Sequence, residues 1–180
     1  LTEDEIQALS TISLDNPNFA LARDLFLFGC WTGISFTDIK NLTTDNIVEM
    51  NGASWIVSKR QKTGVPFQIK LMDIPMQIIR RYEPFRRDKR LFNIGSLDMV
   101  NKRIKAVAKK CGIEKPVSFH LSRHSFAVLA LNYGMPIESV SKILGHTNIT
   151  TTQIYAKVTN AKLENDISAF ESKISGRFVL

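Results

Sequence analysis

The sequence predicts an α+β domain that is mainly helical and carries one small three-stranded antiparallel β-meander. Two observations predict it. Apolar residues recur at helical spacing in segment after segment, four of them stopped by a glycine, and only between Asn46 and Leu71 does the pattern change to short runs separated by turn residues. In addition, 180 residues with 44% hydrophobic composition suit a single domain with its own core, spanning residues 1–180.

The elements follow in order. Thr2 and Glu5 form a capping box ahead of Ile6, Leu9 and Ile12, which predicts a first helix. "FALARDLFLFGCWTG" is apolar nearly all round and ends at Gly33, as expected of a buried helix with a glycine cap. "SFTDIKNL" reads as a short helix. "NIVEM", the turn "NG", "ASWIVSKRQ", the turn "KTG" and "VPFQIKL" read as the three strands. Helices resume in "IPMQIIRRYE", with Pro75 near a helix start, then in "SLDMVNKRIKAVAKKCG", "SFHLSRHSFAVLALNYG" and "PIESVSKILG". A further helix is expected through "TTTQIYAKV", carrying Tyr155, and an amphipathic one through "NAKLENDISAFESKI", with "SGRFVL" trailing off it. No internal repeat or long linker interrupts this series.

Composition narrows the function. No apolar run approaches the roughly 18 residues of a membrane span, and the acidic start "LTEDEIQALS" resembles no signal or transit peptide, so a cytoplasmic protein without a membrane partner is expected. Cys30 and Cys111 lie far apart in apolar or helix-like contexts and read as reduced thiols without chemistry. The net charge of +7 is unevenly spread. Residues 59–110 hold 15 of the 24 Lys and Arg but four of the 17 Asp and Glu, so this stretch carries +11 and the remainder −4. Such polarity points to a polyanionic partner bound largely through counterion release.

Two constellations could carry chemistry. In "FHLSRHSF", His120 and Arg123 stand three apart and share a helix face among apolar neighbours, so Arg123 is partly buried and needs either a protein carboxylate or a ligand anion. His120 and His124 have the spacing of a zinc pair, with His146 as a third ligand. The glutamate of that motif is missing, because Leu121 follows His120, and an arginine between two ligands repels a dication, so no metal is expected. In "ILGHTNITTTQIYAKV", His146 follows a helix-ending glycine and Tyr155 comes nine residues later. A tyrosine phenol can attack phosphorus when cationic donors neutralise the phosphate.

With "TGISFTDIKNL", "SKRQKTGVPFQIKL", "FHLSRHSFAVLAL" and "ILGHTNITTTQIYAKV" in this order and spacing, the chain resembles the tyrosine recombinases, the phage-integrase type of site-specific recombinase. The resemblance covers essentially the whole chain as that family's C-terminal catalytic domain. It implies that Tyr155 attacks a DNA phosphodiester to give a 3′-phosphotyrosyl link and a free 5′-hydroxyl. Arg123 and His120 would hold the nonbridging oxygens and assist proton transfer, His146 would donate to the phosphate, and Lys62 would protonate the leaving 5′-oxygen. No cofactor is implied, and the exchange of one phosphoester for another needs no ATP.

The chain departs from the family at Ser35, which stands where an arginine is usual. Losing one such donor lowers rates by about 10²–10³. Arg60 is the proposed substitute, because in an extended strand it shares a face with Lys62; Arg23, with Asp24 or Asp38 as its partner, is the second candidate. Arg60→Ala is expected to abolish cleavage while sparing DNA binding. Lys59, Arg60, Lys102, Arg103 and Lys105 are expected to contact phosphates and position the duplex. The resemblance also implies double-stranded DNA as partner, a homotetramer on DNA with the segment after Tyr155 packed on a neighbour, and a monomer without DNA. Accessory DNA-bending proteins and N-terminal DNA-binding domains outside this chain are expected too, as is work on a mobile element. A DNA-binding regulator that has lost cleavage, and more distantly a type IB topoisomerase, are the alternatives.

Overall fold

The computed structural model describes residues 1–156 and 160–177. Its elements are α1 (Glu3–Thr11), α2 (Pro17–Thr32), α3 (Phe36–Asn41), β1 (Ile47–Met50), β2 (Ala53–Lys59), β3 (Pro66–Lys70), α4 (Asp73–Tyr82), α5 (Leu97–Lys110), α6 (Phe119–Asn132), α7 (Ile137–Leu144), α8 (Thr150–Gln153) and α9 (Asn160–Ile174), with short 3-10 turns at Thr44–Asn46 and Glu83–Phe85. The mainly helical architecture with one antiparallel meander is as the sequence predicts. No helix among the described residues is long and apolar enough to cross a membrane.

Helix α2 is the axis of the core. Asn16 accepts a hydrogen bond from the Asn18 amide and Pro17 occupies the first helical position, where its missing N–H is no loss. Leu25, Phe26 and Phe28 are completely buried, and α1, α4, α5 and α6 pack around them. Phe119 at the start of α6 meets Phe26 and Phe36 edge-on, which ties α6 to α2 and α3. Two buried charges on α2 brace its neighbours. Arg23 pairs with Asp24 at 2.5 Å and donates to the Leu9 and Ile12 carbonyls, closing the end of α1. The other Asp24 oxygen accepts from Arg81 and from the Tyr82 hydroxyl, both at 2.8 Å, anchoring α4.

The meander runs β1-β2-β3, with Ile47 opposite Ile56 and Trp55 opposite Lys70. Asn51 and Gly52 both have positive φ, the conformation a two-residue hairpin turn demands. A second, smaller cluster of Phe126, Ala127, Leu131, Val140 and Leu144 forms between α6 and α7, and Tyr155 and Ala156 pack on it.

Two sequence expectations need correction. β2 ends at Lys59, and the chain from Arg60 to Val65 closes a loop in which the Arg60 amide donates to the Val65 carbonyl and the Gly64 amide to the Arg60 carbonyl. Strand alternation therefore does not relate Arg60 to Lys62: Arg60 is buried and Lys62 is exposed in the turn. The helix through "TTTQIYAKV" is also shorter than expected. α8 covers four residues, and Tyr155 lies in the turn that follows, its amide bonded to the Thr152 carbonyl at 3.0 Å. Consecutive threonines propagate a helix poorly. The expected continuation into Lys157 and Val158 lies outside the described residues, as does Phe178–Leu180 of "SGRFVL".

Candidate active site

Helix α6 carries His120, Arg123 and His124 on successive positions of one stripe. Its first amide is not closed by the Ser118 side chain. The Phe119 amide donates instead to Asn101 Oδ1 on α5 at 2.7 Å, so α5 fixes where the stripe begins. Among the described residues, no carboxylate pairs with Arg123. Its guanidinium donates to the Gly33 carbonyl at 2.8 Å and to the Leu144 carbonyl, at the C-terminal ends of α2 and α7. The negative ends of two helix dipoles thus hold a half-buried cation in place without neutralising it. Burial, reinforced by the positive charge of Arg60, brings Arg123 down to about 10, so it stays charged at neutral pH.

Arg60 comes to the same place from the other side. It donates to Asp38 Oδ2 at 2.9 Å and to the Ile143 carbonyl, and its guanidinium stacks over the Phe67 ring at 4.0 Å. Two arginines from separate elements therefore clamp consecutive carbonyls, Ile143 and Leu144, at the end of α7. Asp38 is buried and also accepts from the Ser35 hydroxyl at 2.7 Å and from the Gln61 amide at 2.8 Å. Ser35 in turn caps α3. The residue standing where an arginine is usual is thus joined through one carboxylate to Arg60. Arg60 Nε is buried without a partner among the described residues. It faces Gly145, where a Cβ would lie 2.7 Å from Nε; that closeness and a φ of +65° both call for glycine. Arg23, the second candidate, belongs to the α1–α2–α4 network and does not reach Ser35; its carboxylate is Asp24.

Gly145 turns the chain into His146, whose Nδ1 lies 2.8 Å from the hydroxyl of fully buried Thr152. Burial and then the charges of Arg123 and Arg60 hold the His146 imidazole below the ordinary value of 6.5, so it is neutral at pH 7. Tyr155 is half-buried, its ring edge-on to His124 at 4.8 Å between centroids, and Arg123 feels its phenol as well. His124 is exposed and touches Tyr155. His120 is exposed one turn before Arg123.

The structure thus brings Arg60, Arg123, His146, His124 and Tyr155 into one neighbourhood. Lys62 stands exposed in the turn two residues past Arg60. Lys59 is exposed at the end of β2; Lys102 and Lys105 are exposed and Arg103 half-buried on α5, directly after the Asn101 that caps α6. From the sequence Asp38 is named only as a possible partner of Arg23, and Thr152 is not singled out. The spacing of Asp38 three residues after an N-capping serine was a usable signal for the first; nothing local signals the second. Chemically, the arrangement offers a tetrahedral anion one uncompensated guanidinium, a second one paired to a carboxylate, a neutral imidazole and a phenol.

Residues 1–162 match the family described as "Phage integrase family", and the chain belongs to that family. Among its relatives is a tyrosine recombinase XerD of Listeria innocua, 30% identical over 153 residues, which are 79% of this chain and 52% of the relative. A tyrosine recombinase XerA of Pyrococcus horikoshii is 29% identical over 177 residues, 93% of this chain and 59% of the relative. The chain thus spans about half the length of the curated relatives it matches. In fold it is similar to XerH site-specific recombinase in a post-cleavage complex with palindromic difH substrate, with a TM-score of 0.74 at 21% identity over 94% of this chain and 51% of that one. It is also similar to the catalytic domain of bacteriophage HP1 integrase, with a TM-score of 0.68 at 22% identity over 93% and 92%.

Proposed function

We propose that residues 1–180 are the catalytic domain of a site-specific recombinase that cuts and rejoins double-stranded DNA through a 3′-phosphotyrosyl intermediate, in the integration or excision of a mobile element. The observation that carries this reading is the pair of arginines on consecutive carbonyls beside His146, with Tyr155 next to them and, among the described residues, no carboxylate on Arg123. Recombinases bound to DNA among the structural relatives, including the Tn1549 transposon integrase with circular intermediate DNA, support the partner and the mobile-element role.

Arg123 and His120 hold the nonbridging oxygens of the scissile phosphate, and His146 donates a hydrogen bond to it. Arg60 supplies the second guanidinium in place of an arginine at Ser35. The Tyr155 phenol gives up its proton to His120 as its oxygen forms the new bond to phosphorus and the bond to the 5′-oxygen breaks, and Lys62 delivers the proton that the 5′-oxygen needs. Reversal by a 5′-hydroxyl rejoins a strand and frees the tyrosine. Fixed charge and positioning supply the acceleration, and the phosphoester is conserved throughout. Lys59, Lys102, Arg103 and Lys105 neutralise flanking phosphates. On DNA the protein forms a homotetramer, and without DNA a monomer; α9 exposes Leu163, Ile167 and Phe170 at helical spacing, a stripe suited to a neighbouring subunit.

The test is a pool of duplexes with randomised sequence around a single 5′-bridging phosphorothiolate, whose thiol leaving group cannot religate efficiently. A covalent protein–DNA band on a denaturing gel is expected with the wild-type chain and not with Tyr155→Phe. Binding without a band favours the regulator, and a band with Tyr155→Phe overturns the nucleophile. Because a thiolate leaves without protonation, Lys62→Ala should form the adduct on this pool and fail on the all-oxygen duplexes recovered from it.

A further inference from the structure

Thr152 is completely buried on α8, and no role in phosphate binding has been given to it. A threonine in a helix commonly donates its hydroxyl to a carbonyl three or four residues back. Here the hydroxyl turns to His146 Nδ1 at 2.8 Å, while the Thr152 amide takes the Ile149 carbonyl. A hydroxyl has one hydrogen to donate. Among the described residues, Nδ1 is the only side-chain or backbone acceptor recorded for it. Were the ring proton on Nδ1, the hydroxyl would be left buried without an acceptor, an arrangement folded proteins avoid.

We infer that Thr152 is a positioning residue of the candidate active site: by donating to Nδ1 it keeps the imidazole proton of His146 on Nε2, ready for the phosphate. This inference rests on the proposed function for its catalytic meaning, and on hydrogen-bond geometry alone for the tautomer. The charged groups around the ring make the tautomer matter. Arg123 on α6 and Arg60 in the β2–β3 turn oppose an imidazolium, with Asp38 on α3 already committed to Arg60, so the neutral ring is favoured and, with Nδ1 turned to Thr152, Nε2 is the nitrogen left to donate. Thr152 also accepts the Tyr155 amide on its carbonyl at 3.0 Å. One residue thus sets the donor's tautomer and the place where the nucleophile's backbone begins its turn.

The chain has three histidines, which makes the tautomer readable by long-range 1H–15N spectra of the imidazole nitrogens at pH 7, assigned with His146→Gln. The wild type and Thr152→Ser should both be protonated on Nε2 at His146, and Thr152→Val should lose that preference. On the phosphorothiolate pool, Thr152→Val should form adduct about 10- to 100-fold more slowly, by analogy with loss of the partner that orients a metal-ligating histidine, with duplex binding unchanged, and Thr152→Ser should keep the wild-type rate. A wild-type His146 protonated on Nδ1, or a Thr152→Val chain with the wild-type tautomer, overturns the inference without needing any catalytic assay. A wild-type chain that forms no adduct while the tautomer pattern holds overturns the proposed function and leaves the positioning of His146 in place.

Discussion

At the scale of single residues, the decisive relation is the one between Arg60 and Asp38. Removing one partner of a buried ion pair leaves the other charge unpaired and costs about 3–5 kcal/mol. Arg60→Ala should therefore lower the urea midpoint as well as suppress adduct formation by about 10²–10³, so Arg60→Lys, which keeps a charge, is the variant that separates the two effects. It should fold close to normally and still cleave poorly, because an ammonium cannot span Asp38 and the Ile143 carbonyl as a guanidinium does. Near wild-type cleavage by Arg60→Lys and Arg60→Ala would remove Arg60 from the site. The histidines give a pH signature of known sign. Burial of His146, and partial desolvation of the otherwise exposed His124, hold both below the ordinary value of 6.5 in the folded chain, so on acidification the unfolded chain takes up protons first. Stability is then fully present above pH 6.5 and declines as pH falls below it. Urea unfolding between pH 7.5 and 5 should record that decline, and His146→Gln should flatten it.

Among the elements, the junction of α7 with the chain after it is the most exacting. Gly145→Ala would force a positive φ on a residue with a side chain, costing about 1–3 kcal/mol, and would push its methyl against Arg60 Nε. Thermal unfolding should register the first effect, and a drop in adduct yield at saturating DNA the second. Elements of this kind were unequally legible in the sequence. Those with local causes could be read: Thr2 with Glu5 marks α1, the glycine after Thr32 ends α2, and Asn51–Gly52 makes the hairpin. The end of β2 could not be read, because it depends on the Arg60 amide finding Val65 across the turn and on a carboxylate 22 residues earlier in the chain. Likewise, His120, Arg123, His146 and Tyr155 stood out by type and spacing, whereas the hydroxyl of Thr152 looked like any other in "TNITTTQ". Long-range partners leave little trace in a local pattern.

For the molecule as a whole, the proposed function makes the charge surplus of residues 59–110 the main determinant of contact with DNA. Binding should weaken linearly in log Kd against log salt. Each of Lys102→Ala and Lys105→Ala should reduce the slope by about one while affecting all sequences alike. An unchanged slope would take α5 off the duplex.

The carboxylate shared by Ser35 and Arg60 also constrains history. Suppose an ancestor carried arginine at position 35 and something small at position 60. Changing position 35 first strands Asp38 without a cation, and changing position 60 first sets two guanidinium groups on one carboxylate in a buried pocket. Neither halfway sequence is comfortable, so positions 35 and 60 are expected to tolerate change only together. Restoring arginine at Ser35 alone should accordingly impair this chain, and only the simultaneous exchange with Arg60 should relieve the defect.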